Sequence, residues 1–192
     1  MPATEPIRSK SDLRSMSAYF KLRGQFRNNA IIIVGSHTAL RISDLLALRW
    51  TDVYDPSRGE FRKRFTIREH KTGKHRTVTL HPKAVEALAL LYSHRREDSA
   101  YIFASNRKDG RAISRIQAWR IIRNVVEKLH ISGVIACHSL RKTFGYHAWE
   151  DHDMPAVILM EIYNHSSFEV TKRYLGITQD DMDEAYLSVS LF

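Results

Sequence analysis

His165 is followed nine residues later by Tyr174, and His138 stands three residues before Arg141. Tyrosine is a weak nucleophile at its ordinary pKa of about 10, but a nearby base and neighbouring cations ease the loss of its proton during attack. Lys172 and Arg173 adjoin Tyr174 in the chain. An arginine fork grips two phosphate oxygens at once and stays charged at any working pH, which makes Arg41 and Arg141 candidates to clamp a phosphodiester. Lysine or histidine suits protonation of a leaving alkoxide, and His70-Lys71-Thr72-Gly73-Lys74 supplies a further basic segment. The chemistry this set could perform is covalent attack on a DNA phosphodiester. A tyrosyl phosphate ester would store the energy of the broken bond, so rejoining would require no ATP, metal or other cofactor.

Singly, each residue has a duller explanation: Arg41 can pair with Asp44, His138 can satisfy a buried carbonyl, and Tyr174 can simply pack. Other patterns carry less. His147, Glu150 and His152 match no metal-ligand signature and read as a solvated helix end. Gly73-Lys74 lacks the earlier glycine and the hydroxyl residue of a phosphate-binding loop. Trp119 and Trp149 fall at helical positions among apolar residues and are expected in the core rather than as base-stacking platforms.

The elements that must position these residues follow from periodicity. Residues 1–12 read as a flexible lead-in and residues 13–192 as one domain, a size that can bury a substantial core. Ile31 to Val34 and then Ile42 to Leu48 predict two helices broken at Gly35, with Arg41 near the start of the second. Alternation over residues 61–80, with a turn at Lys71 to Lys74, predicts a small antiparallel sheet. Pro82 opens a helix to about His94, and Ile116, Trp119, Ile122, Val126 and Leu129 mark another. A helix opening near Pro155 should end near Asn164, with a short one over 169–175 and another starting near Asp180. The fold class is therefore α+β, mainly helical with a small antiparallel β-sheet. Cys137, the single cysteine, excludes an intrachain disulfide and is expected to pack as a small hydrophobe. No apolar run approaches the roughly 18 residues of a membrane span, and no secretory signal opens the chain, so a cytoplasmic protein is expected. Thirty Lys plus Arg against 21 Asp plus Glu give a formal charge of +9, which favours a polyanionic partner such as double-stranded DNA.

Thr38-Ala39-Leu40-Arg41-Ile42-Ser43-Asp44-Leu45-Leu46, His138-x-x-Arg141 and His165 with Tyr174 resemble, in order and spacing, the tyrosine recombinase family of phage integrases and chromosome dimer resolvases. The resemblance implies a site-specific recombinase, an integrase-like enzyme of mobile genetic elements, acting through a 3′-phosphotyrosine and a free 5′ hydroxyl. It implies that Arg41 and Arg141 bind the scissile phosphate, that His138 assists proton transfer with Tyr174, and that His165 hydrogen-bonds a phosphate oxygen. Lys71 would protonate the leaving 5′ oxygen and Asp44 would support the site. It further implies self-association of four protomers on DNA, for which residues 180–192, with the apolar Tyr186, Leu187, Val189, Leu191 and Phe192, are a candidate exchange segment. Asn164 departs from the glycine many members carry, and fewer than 40 residues precede the first motif, where most members carry a DNA-clamping domain. An accessory DNA-binding protein is one remedy for that difference. Opening with Met1, the chain reads as a minimal recombinase rather than an excised fragment. The competing reading is a DNA-binding accessory or regulatory protein of the same fold, which would need phosphate contacts but no nucleophile or leaving-group acid.

Overall fold

The computed structural model describes residues 3–95, 99–107, 109–152, 154–175, 177 and 179–190. Helices α1 (Lys10–Lys21), α2 (Phe26–Thr38), α3 (Ile42–Leu46) and α4 (Trp50–Val53) lead into two hairpins. The first pairs β1 (Tyr54–Asp55) with β2 (Glu60–Phe61), the second β3 (Arg64–Arg68) with β4 (His75–Thr79), both antiparallel. Then follow α5 (Pro82–Ser93), α6 (Arg115–Lys128), α7 (Cys137–Glu150), α8 (Ala156–Tyr163), α9 (Phe168–Leu175) and α10 (Gln179–Ser188). The mainly helical α+β class is the one expected. None of the described helices is long and apolar enough to cross a membrane.

A large core joins α1, α2, α5 and α6, including Met16, Ile31, Leu88 and Ile122. A smaller cluster of Ala39, Ala148, Leu159, Tyr163 and Leu175 gathers the end of α2 with α7, α8 and α9. In the second hairpin Phe65 faces Val78 and both are buried, while Thr66 and Thr77 face each other on the exposed side. That is the alternation of a sheet with one wet face.

Several expectations are corrected. The break after α2 falls at Ala39, in the left-handed region at φ 52, and not at Gly35, which lies inside the helix. Gly35 is instead a crossing point: a Cβ there would stand 2.7 Å from Leu140 Cδ1 on α7. The lead-in, over its described residues, packs onto the rest of the domain. Ile7 is buried and its amide donates to Thr143 Oγ1 at 2.8 Å, Glu5 donates to the Val134 carbonyl, and Lys142 Nζ donates to Thr4 O. Helix α1 starts at Lys10 because Ser9 caps it, accepting from the Asp12 amide. Trp119 is 48% exposed and so is not a core residue, whereas Trp149 packs against the smaller cluster. Of the expected solvated helix end, Glu150 and His152 are exposed, whereas His147 is half-buried, its ring bonding Asp151 Oδ2 at 2.7 Å and the Ile7 carbonyl at 3.1 Å. Cys137 is half-buried, and burial pushes its thiol up to about 11. Of the apolar tail, Tyr186, Leu187 and Val189 are exposed; Leu191, Phe192 and the Arg173 and Asp180 side chains lie outside the described residues.

Candidate active site

Two helix ends build the floor of the site. A helix C-terminus leaves carbonyls unpaired and gathers partial negative charge there. At the end of α2, Arg76 from β4 donates to Thr38 O at 2.9 Å and to Ala39 O at 3.1 Å, and Arg141 from α7 also donates to Ala39 O. The other arm of Arg141 donates to Tyr163 O, the last residue of α8, at 2.9 Å. Arg141 is 1% exposed, and its fork is fixed by backbone from two helices. Helix α8 closes in the same manner as α2. Asn164 takes φ 58, and the amides of Asn164 and His165 reach back to Glu161 O and Met160 O, a Schellman turn. Asparagine tolerates this conformation better than most side chains, so it serves where glycine is common, and His165 leaves the turn facing inward.

Arg41 precedes α3 and pairs with Glu69, not with Asp44: Nη1 stands 2.7 Å from Glu69 Oε2. The same carboxylate oxygen accepts from Thr72 Oγ1 at 2.7 Å, and Arg76 Nη1 is 3.8 Å from the other. Asp44, one turn into α3 and buried, accepts the His70 amide at 2.9 Å. It thereby ties α3 to the turn that carries Lys71. Lys71 itself is exposed on that turn.

Tyr174 is brought onto this floor by α9, with buried Leu175 anchoring the helix. Its hydroxyl is 3.0 Å from His138 Nε2. Its ring packs 4.9 Å from those of Tyr163 and His165. The cations facing it come from α7: Arg141 Cζ at 5.7 Å and Lys142 Nζ at 6.0 Å from the ring centre. His165 Nδ1 bonds the buried Thr171 Oγ1 at 3.0 Å and stacks on Tyr163. Tyr163 is fully buried, its hydroxyl donating to the Arg141 carbonyl at 2.9 Å.

The electrostatics are those of a cation cluster short of anions. Burial, then repulsion from Arg141, Lys142, Arg41 and Lys71, pushes His138 down to about 4. Burial and the same arginines push His165 to about 4 as well. Arg76 is lowered to about 10, by burial and then by Arg141. Burial works to raise Glu69, but Thr72, Arg41 and Arg141 outweigh it and hold the carboxyl below its usual range. Both histidines are therefore neutral near pH 7 and able to accept a proton. An entering anion would relieve the repulsion.

The fold thus gathers His138, Arg141, His165 and Tyr174 directly, brings in Arg41 through Glu69, and leaves Lys71 at the rim. Glu69, Arg76, Tyr163 and Thr171 were not singled out from sequence. For two of them a signal exists: in the alternation that buries Phe65 and Val78, Glu69 and Arg76 occupy inward positions. A charge in an apolar register marks a buried pair. No three His, Cys, Asp or Glu side chains among the described residues come together as a metal would need.

The phage integrase family matches residues 9–180. The chain belongs to that family, the tyrosine recombinases, enzymes that cleave and rejoin DNA strands. It is 34% identical over 186 residues to the probable integrase/recombinase YoeC of Bacillus subtilis (strain 168), covering 97% of each chain. It is 27% identical over 167 residues to the tyrosine recombinase XerD of Mycobacterium tuberculosis, covering 83% of this chain and 51% of that one. It thus spans nearly all of the former and about half of the latter. In fold it matches XerA recombinase with a TM-score of 0.77 at 23% identity, covering 97% of this chain and 66% of that one. It also matches a lambda integrase dimer bound to a core site, with a TM-score of 0.70 at 16% identity, covering 100% and 53%. At these identities the two structures speak to the fold alone.

Proposed function

We propose that Tyr174 is the nucleophile of a site-specific DNA recombinase and that His138 takes its proton. The phenolic oxygen attacks the scissile phosphorus, forms a 3′-phosphotyrosine and expels the 5′ oxygen, which takes its proton from Lys71. Arg41 and Arg141 hold the non-bridging oxygens as negative charge builds, His165 adds a hydrogen bond, and Asp44 holds the Lys71 turn in place. Attack by another strand's 5′ hydroxyl reverses these steps, with no cofactor. The observation that carries this reading is the 3.0 Å approach of the Tyr174 hydroxyl to a His138 ring held neutral beside Arg141. A protein that only bound DNA would have no use for a base on that hydroxyl.

The partner in this reading is double-stranded DNA inside the cell, engaged by four protomers. The exposed Tyr186, Leu187 and Val189 of the C-terminal segment would dock on a neighbouring copy, and a second DNA-binding protein would complete the clamp. The test is incubation of wild type and Tyr174→Phe with nicked suicide substrates. A denaturant-resistant protein-DNA adduct is expected with wild type only. Salt-sensitive DNA binding by both proteins with an adduct from neither would favour the binding-only alternative.

A further inference from the structure

Glu69 is an acid where a phosphate site would be expected to exclude one. It is 1% exposed, and its contacts run in two directions. Inward, Oε2 pairs with Arg41 at 2.7 Å, and Arg76 lies 3.8 Å from Oε1. Outward, the Thr72 hydroxyl donates to the same Oε2 at 2.7 Å, while the Glu69 backbone bonds Lys74 O through its amide and the Gly73 amide through its carbonyl. Lys71 sits inside this loop of bonds. One residue therefore spans Arg41 and the tight turn that presents Lys71.

Its charge has a second consequence. Three guanidiniums, those of Arg41, Arg76 and Arg141, crowd the end of α2, and unpaired they would repel one another. One fixed carboxylate holds part of that charge in place while leaving a cationic surplus for an entering phosphodiester. Asp44 does a different job, fastening the turn to α3 through the His70 amide.

We infer that Glu69 is a positioning residue that couples the phosphate clamp at Arg41 to the leaving-group acid at Lys71, so that both are set by one carboxylate. This rests on the roles given above to Arg41, Lys71 and Tyr174. The coupling predicts that losing Glu69 leaves a smaller defect from Arg41 whatever the leaving group and adds a larger one where the 5′ oxygen needs a proton.

The experiment compares wild type, Glu69→Gln, Glu69→Ala and Lys71→Ala on nicked suicide substrates bearing a normal 5′ oxygen or a bridging 5′ sulfur. The sulfur leaves without a proton. General acids contribute about 10²–10⁴-fold, so displacing one should slow Glu69→Ala by roughly 10- to 100-fold on the oxygen substrate. Most of that loss should vanish on the sulfur substrate, and Glu69→Ala should add little to Lys71→Ala. Glu69→Gln, which keeps the volume and can still accept from Thr72, should show the same preference for sulfur more weakly while melting cooperatively. Equal slowing of both substrates, or no slowing of either, would overturn the coupling. Tyr174→Phe separates the two claims: an adduct persisting on the sulfur substrate without Tyr174 would sink the catalytic reading itself.

Discussion

Arg141 and Lys71 serve the same proposed reaction from opposite structural circumstances. Arg141 is 1% exposed and bonded to the ends of α2 and α8, whereas Lys71 rides an exposed turn held by Asp44 and Glu69. The difference matches the tasks. A phosphate clamp must be fixed before charge develops, because reorganisation during the reaction would cost part of its effect. A proton donor can keep a free side chain so long as the turn beneath it is fixed, as Asp44 and Glu69 fix this one. Rigidity thus reaches the whole side chain where charge is stabilised, and only the backbone where a proton is delivered.

This contrast can be broken by substitution. Arg141→Ala should have the largest effect, because it strands the Tyr163 carbonyl in the interior and leaves the Ala39 carbonyl with Arg76 alone; about 2–4 kcal/mol of stability should be lost in denaturant unfolding. Cleavage should fall below detection, and Arg141→Lys should not restore it, since an ammonium cannot span both helix ends. Gly145→Ala comes next. A Cβ at Gly145 would collide with the Tyr163 hydroxyl, so a loss of about 1–3 kcal/mol is expected. Adding Tyr163→Phe should recover part of it, because the hydroxyl is what the methyl meets.

The pH dependence tests the electrostatic half of the contrast. His138 and His165 are held down to about 4, while an unfolded histidine titrates near ~6.5. Between these values the unfolded chain binds the extra protons, so stability should fall as pH drops from about 6.5 toward 4. Sulfate, whose charge does not change over this range, would raise both histidines if seated among the arginines. Its shift of the melting temperature should therefore grow as pH falls from about 7 to about 5. A sulfate shift independent of pH would place the anion elsewhere. Lys71→Ala should have the smallest effect on stability, within about 0.5 kcal/mol, yet slow cleavage by about 10²-fold or more.

Much of this was legible in the chain. Helices α5 and α6 announce themselves by apolar spacing, and the second hairpin by alternation around the Lys71 turn, whereas α7, which carries His138 and Arg141, was not read as a helix. The β1–β2 hairpin does not, because two-residue strands show no period. The end of α2 was misplaced for a physical reason: glycine usually marks a break, but Gly35 is needed for the crossing with α7, and Ala39 is held left-handed by tertiary bonds from Arg76 and Arg141. Trp119 follows helical spacing yet faces outward, since periodicity does not reveal which stripe is covered. Among the six site residues, residue chemistry points to Tyr174, Arg41 and Arg141, while the roles of Lys71, His138 and His165 come from the family resemblance. Glu69 and Arg76 escaped because their function depends on who faces them across the fold, although their inward register was visible.

The most direct measurement is to trap the wild-type adduct on a suicide substrate, digest it, and identify by mass spectrometry the modified peptide and the DNA end attached to it. The account predicts a single modified residue, Tyr174, joined to a 3′ phosphate, with a free 5′ hydroxyl on the released strand. Attachment at any other residue, or to a 5′ phosphate, would contradict it.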